Sequence, residues 1–184
     1  SGLQYTYHNA KNAETFGVEL DVKKNLDFIG LRGLSFVCNA AYIYSRVRFE
    51  EGAPERDRPL AGQSPYLVNA GFFYQYDDKG ISASLLYNRI GKRIESVGVP
   101  MQNQNEDIPD IYEMPRNSLD LTFSKKIGKI VEIKAGIQDM LNSKVEYKQF
   151  VKLTDDKGGK SEREQLIRSY RPGVDINIGV SLRF

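Results

Sequence analysis

Residues able to do chemistry are few in this sequence, and their spacing does not assemble them. The only histidine, His8, has no cysteine or serine partner at a motif spacing, and no HExxH, GxSxG, P-loop or paired-cysteine pattern occurs. His8 therefore reads as a surface residue at a strand end, and a non-catalytic protein without cofactor or resident metal is expected. The stretch Asn103-Gln104-Asn105-Glu106-Asp107-Ile108-Pro109-Asp110 offers the hard oxygen ligands that Ca²⁺ takes. It lacks the glycine and closing glutamate of an EF-hand, so it reads as a solvated loop. Arg46, Arg48, Arg56 and Arg58 alternate with Glu50, Glu51, Glu55 and Asp57. Such a cluster is a candidate ligand mouth, while its mixed signs point equally to local pairing.

The elements that must carry these residues are strands. Val174, Ile176, Ile178, Val180, Leu182 and Phe184 alternate with Gly173, Asp175, Asn177, Gly179, Ser181 and Arg183, so one face is apolar and the other polar or glycine. The same period of two runs through Thr15–Lys23, Ser118–Ser124 and Val131–Gln138. Residues 34 to 48, 66 to 76 and 81 to 94 alternate less cleanly, with Val37, Ile43, Phe73 and Leu86 on the wrong face. With the short Leu3–His8 piece the count is eight strands. Eleven tyrosines, nine phenylalanines and sixteen glycines agree with many strands joined by turns.

The connections fall into two alternating length classes. Tight links lie at Asp77–Gly80 and Ile127–Lys129, with a longer one at Asn25–Gly33; long polar links lie at about 49 to 65, 95 to 116 and 143 to 170. Segregation of loop length by end is the habit of an outer-membrane barrel, whose periplasmic turns are short and extracellular loops long. No apolar run approaches the roughly 18 residues of a membrane helix, but a barrel strand needs only about 9 to 11. Phe36, Tyr74, Tyr76, Phe123 and Phe184 fall near the short-turn ends, and Phe16, Tyr42, Tyr44, Tyr66 and Tyr87 near the long-loop ends. Two such belts suit a bilayer with two interfaces. A net charge of +2, with charges spread rather than in runs, argues against nucleic acid as a partner. Cys38 is the single cysteine and makes no internal disulfide. No secretion signal precedes Leu3, Tyr5 and Tyr7, so the sequence reads as beginning in mid-structure.

Five segments, taken in order, carry a family resemblance. Asn12-Ala13-Glu14-Thr15-Phe16-Gly17-Val18-Glu19-Leu20, Arg58-Pro59-Leu60-Ala61-Gly62-Gln63-Ser64-Pro65-Tyr66-Leu67-Val68-Asn69-Ala70-Gly71, Ser84–Ile94, Gly136-Ile137-Gln138-Asp139-Met140-Leu141-Asn142 and Tyr170-Arg171-Pro172-Gly173 resemble strands of the barrels of TonB-dependent outer-membrane receptors. The resemblance implies an all-β fold, an antiparallel transmembrane β-barrel segment of about eight strands. Residues 1–184 would be the C-terminal portion of a barrel of about 22 strands, with the family's plug domain and TonB-binding segment absent. It further implies the cell outer membrane as location and lipid as surroundings. The implied function is uptake of a scarce ligand, with plug and TonB as partners in the full-length receptor. Glu19, Asp21, Asp120, Lys134, Asp175, Asn177 and Arg183 would face the lumen, meeting water or the plug. Val180, Leu182 and Phe184 resemble the signal by which the barrel-assembly machinery recognises its clients, and equally give the last strand an apolar lipid face. The residues alone leave two rivals open: a complete eight-stranded outer-membrane barrel acting as adhesin or structural protein, and a soluble β-barrel that binds a small ligand.

Overall fold

The computed structural model describes residues 9–100, 107–154 and 160–183; the expected Leu3–His8 strand, His8, Phe184 and the first half of the Asn103–Asp110 stretch lie outside them. No α-helix occurs among the described residues, and every strand pairing is antiparallel. The chain forms β1 (Asn12–Asn25), β2 (Leu34–Arg48), β3 (Tyr66–Tyr76), β4 (Ile81–Ile90), β5 (Arg93–Ser96), β6 (Ile111–Glu113), β7 (Arg116–Ile127), β8 (Val131–Gln138), β9 (Val145–Thr154), β10 (Lys160–Tyr170) and β11 (Asp175–Leu182). They make a seven-stranded sheet in the order β1-β2-β3-β4-β7-β8-β11 and a four-stranded sheet in the order β10-β9-β6-β5. Among the described residues β1 and β11 pair on one side only, so the larger sheet is open.

Of the connections expected to be long loops, one is largely sheet and another contains strands. Residues 95–116 hold β6 and the end of β5, and 143–170 hold the β9–β10 hairpin. β10 escapes the sequence reading because Lys160-Ser161-Glu162-Arg163-Glu164-Gln165 offers no period to detect. β9 does alternate, Val145, Tyr147, Val151 and Leu153 against Glu146, Lys148 and Lys152, a signal the sequence reading passed over. The small sheet continues the large one. β5 follows β4, β6 precedes β7, β9 follows β8 and β10 precedes β11, so β5-β6-β9-β10 repeats the lateral order β4-β7-β8-β11 beyond the long-loop end. The four strands break at one level: at Gly91-Lys92, Met114-Pro115, Asp139–Lys144 and Arg171–Val174. Proline at two of these breaks removes a ladder donor, and Asp139 and Asn142 take positive φ (52° and 43°), a conformation these side chains tolerate better than most.

Register settles which side chains share a face. Asp21 lies opposite Asn39, Asn39 opposite Asn69, Asn69 opposite Asn88 and Asn88 opposite Ser118; further along, Thr122 faces Gly136 and Gly136 faces Asn177. One face of all seven strands therefore carries the polar set, and the other carries Phe16, Val18, Leu20, Phe36, Phe72, Leu85, Leu121, Phe123, Ile133, Ile176, Ile178 and Val180. That apolar face is bare: Val18 is 74% and Ile178 76% exposed. Fully buried apolar residues are few and gather instead at the long-loop end, where Val47, Ile94, Val145 and Tyr147 are enclosed.

The Arg58–Tyr66 segment builds this enclosure. Arg58 and Val47 exchange backbone hydrogen bonds of 2.8 and 3.2 Å, Leu60 N donates to Ser45 Oγ (3.2 Å), Gly62 N to Ile94 O (2.8 Å) and Ser64 Oγ to Tyr66 O (2.9 Å). The β2–β3 connection is thereby folded back onto the start of β5. At the opposite end, the β1–β2 link contains a 3-10 turn over Asp27–Ile29 closed by Gly30, and Asp27 Oδ1 accepts from Gly33 N at 3.1 Å. Gly30 (φ 84°) has open space where a Cβ would stand, whereas a Cβ on Gly33 (φ 75°) would lie 2.2 Å from the Gln75 carbonyl oxygen. Gly30→Ala should cost about 1 kcal/mol for the left-handed backbone alone, and Gly33→Ala at least about 2 kcal/mol, because β2 must also part from β3. Urea unfolding of the chain folded in detergent checks the order; equal losses would contradict the close approach.

Candidate functional site

Two places on the molecule concentrate polar chemistry. The first crosses the polar face of the large sheet. Asn39 Nδ2 donates to Glu19 Oε1 and Asp21 Oδ1, both at 2.7 Å, and Asn88 Nδ2 donates to Asn69 Oδ1 at 2.6 Å. Ser118 Oγ donates to Asp120 Oδ1 (3.3 Å), which also accepts from Asp139 N (2.8 Å), and Arg116 pairs with Asp139. A hydrogen-bonding row thus spans five strands at one height. Its asparagines carried a readable signal, since Asn39, Asn69 and Asn88 sit on three consecutive strands, but only the register shows that they adjoin.

Below this row lies an apolar recess of about 270 Å³. Val37 faces Gly71, Gly71 faces Leu86 and Leu86 faces Asp120, with Phe73 one pleat nearer the short turns. Three of the four residues that break the alternation thus meet in one patch. Gly71 makes room for it, as a Cβ there would sit 2.5 Å from Leu86 Cδ2. Ile43 lies apart on the same face, its N–H bonded to Pro65 O at 2.9 Å.

Of the residues expected to face a lumen, Glu19, Asp21, Asp120, Lys134, Asp175 and Asn177 all fall on this polar face. Arg183 lies one residue past β11, its N–H donating to Ile130 O at 2.9 Å. Glu19, Asp21 and Asp120 belong to the hydrogen-bonded row, whereas Lys134 pairs with Glu132 at 3.5 Å and Asn177 covers Gly136. Val180 and Leu182 project from the opposite, bare face.

The second place is a cleft of about 460 Å³ at the long-loop end, between residues 55–59, the β5–β6 hairpin and the β9–β10 hairpin. Tyr112 and Phe150 meet edge to face at 5.7 Å, and the Lys92 ammonium lies 4.6 and 4.7 Å from their ring centres. Burial, reinforced by Asp110, holds the Tyr112 hydroxyl above its usual pKa. On the same hairpin, hydrogen bonding to Glu164, aided by Glu146, holds the Lys148 ammonium above its usual value despite partial burial. The four arginines proposed for a mouth divide. Arg46 pairs with Asp57 and Arg48 with Glu14, both from within β2; Arg56 pairs with Asp107; Arg58 lies over the Phe49 ring at 5.7 Å. Arg56 and Arg58 line the cleft, and Arg46 and Arg48 do not. Lys92, Tyr112 and Phe150 had no sequence signal, as they come from the β4–β5 break, β6 and β9, distant in the chain.

Arg116 and Asp139 are 27% and 13% exposed at their side chains, and Arg116 Nε and Asp139 Oδ1 have no further partner. A double-mutant cycle with Arg116→Gln and Asp139→Asn should return a coupling of about 1–3 kcal/mol. The open Lys11–Glu50 pair should return under about 1 kcal/mol. Similar couplings by denaturant titration would show that enclosure does not govern these pairs.

No family model matches the chain, and no solved structure matches it. Among curated proteins, the chain is similar to Transferrin-binding protein A of Haemophilus influenzae, at 25% identity over 152 residues that cover 75% of this chain. The chain spans 16% of the length of that relative.

Proposed function

We propose that this chain is wall from the barrel of a TonB-dependent outer-membrane receptor, serving ligand uptake without catalysis. The observation that carries the reading is the bare apolar face, shared in register by all seven strands of the large sheet. Each large apolar side chain left in water forgoes roughly 1.5–3 kcal/mol, so a face this continuous requires a cover. Hydrocarbon supplies one without polar partners, and the antiparallel ladder meets the demand that backbone groups in lipid be satisfied internally. The polar face would then look into the lumen. The small sheet, which lies beyond the bare apolar face of the large one, would stand above the bilayer on the outer surface. Similarity to a transferrin-binding protein supports a ligand-handling protein of the outer membrane or cell surface.

In this reading β1 and β11 are interior seams of a wider wall, whose further strands complete their hydrogen bonding. Plug domain, TonB and the barrel-assembly machinery are the partners of the full-length receptor, and nucleic acid is not one. The short-turn end, with Gly30, Gly80 and Gly128 in left-handed turns, would face the periplasm. The long-loop cleft would face the medium from which ligand arrives.

Face assignment is testable within one strand. Ile178 belongs to the bare side of β11 and Asn177 to the polar side, paired with Gly136. Ile178→Arg should destabilise the lipid-inserted chain by roughly 2 to 4 kcal/mol, and Asn177→Arg by much less. Equal losses on unfolding from lipid vesicles would overturn the membrane reading. Deletion of Phe184 from the full-length receptor should lower its outer-membrane level more than Lys160→Ala does; unchanged assembly of both would leave Val180 and Leu182 with a packing role alone.

A further inference from the structure

Charges lining the long-loop cleft are unequally engaged. Asp57 accepts from Arg46 (3.1 Å) and from Phe49 N (3.2 Å), Asp107 pairs with Arg56, and Asp110 accepts from Gly98 N (2.8 Å) and Tyr112 Oη (3.5 Å). Glu55 has interactions of its own, and Glu162 stands directly across the β9–β10 ladder from Lys152. Against these, Arg58, Lys92 and Lys152 have no ion pair among the described residues, and of the cleft carboxylates Glu162 has neither an ion pair nor a hydrogen bond. Lys92 is held over Tyr112 and Phe150 and Arg58 over Phe49, with Arg58 Nη1 also donating to Pro59 O at 3.4 Å. A ring face orients a cation without neutralising it and leaves its N–H donors available. Cations without an ion pair in the cleft therefore outnumber carboxylates left wholly unengaged, and two of these cations, Lys92 and Arg58, are fixed by rings on separate segments of chain.

We infer that the long-loop cleft binds small organic anions bearing two or more carboxylates, with Lys92 and Arg58 as the two cationic contacts. The volume of about 460 Å³ suits a ligand of that size. Two carboxylates on one molecule can answer two cations from different segments, which a single chloride or acetate cannot, and charge-assisted hydrogen bonds are the stronger kind. Tyr112 and Phe150 give the carbon skeleton an apolar wall. The inference deepens the uptake reading by naming a ligand class for its outward-facing end.

Isothermal titration of the full chain in detergent at low ionic strength tests it, with tricarballylate as probe and its uncharged triamide as comparator. Tricarballylate should bind saturably and the triamide should not. Lys92→Gln and Arg58→Gln should each weaken binding about fivefold or more, as expected on losing a charge-assisted contact, and Lys92→Arg should restore it. Lys129→Gln, in the turn at the far end of the molecule, should leave it unchanged. Absence of saturable binding, equal affinity for the triamide, or an equal loss from Lys129→Gln would overturn the inference. Circular dichroism of each variant separates lost binding from lost fold. The Ile178 and Asn177 comparison does not involve the cleft, so failure here would leave the membrane reading standing.

Discussion

Strand register is the constraint on which the rest of this structure depends. Backbone donors and acceptors must pair along each ladder, and once they do, neighbouring residues point to opposite sides with no intermediate choice. A slip of one residue between β3 and β4 would move Asn88, Leu86 and Ser84 to the bare side and bring Tyr87 and Leu85 to the polar one. Because six consecutive pairings keep the alternation in phase, the sheet acquires two chemically distinct surfaces without a central core. The bare surface follows from the backbone as much as from the apolar residues on it.

The few departures from alternation are where the sheet becomes specific. Val37, Phe73 and Leu86 interrupt the polar face at adjoining positions, and Gly71 opens the space between them. Had they fallen at unrelated heights, each would be a lone apolar side chain in a polar surround. Together they form a recess beneath the asparagine row, so one patch of the wall is shaped and partly apolar while its neighbours are flat and hydrogen-bonded.

Local order at the long-loop end comes from a different source. There the ladder breaks in four strands at one level, and the chain compensates with specific contacts: the Arg58–Tyr66 segment bonded to Val47, Ser45 and Ile94, and Asn142 linking the start of β9 to the approach to β11 through Arg171 and Gly173. Two of the segments that resemble the receptor family, Arg58–Gly71 and Gly136–Asn142, take part in these joints. Their sequence is restricted by backbone hydrogen bonding and left-handed turns, a restriction that acts apart from any contact with ligand.

How much of this was legible beforehand follows from what a single strand can encode. The alternation in β1, β7, β8 and β11 fixed their faces, because one apolar side and one polar side leave a period of two in the sequence. The tight turns were legible from Asp77–Gly80 and Gly128, and the polar-face set from Glu19 to Asn177 followed from the same period. β10 was not, since a strand exposed to water on both sides carries no contrast between its faces, while β9, with Val145 and Tyr147 enclosed, carried a period of two that lay inside an expected loop. The cleft was hidden for a further reason. Lys92, just before β5, meets Tyr112 on β6 and Phe150 on β9 only when the small sheet repeats the lateral order of the large one, and the union of Asn39, Asn69 and Asn88 likewise required a register. Periodicity is a property of one strand, whereas adjacency across strands is decided by which ladders form, and that is settled only in the folded chain.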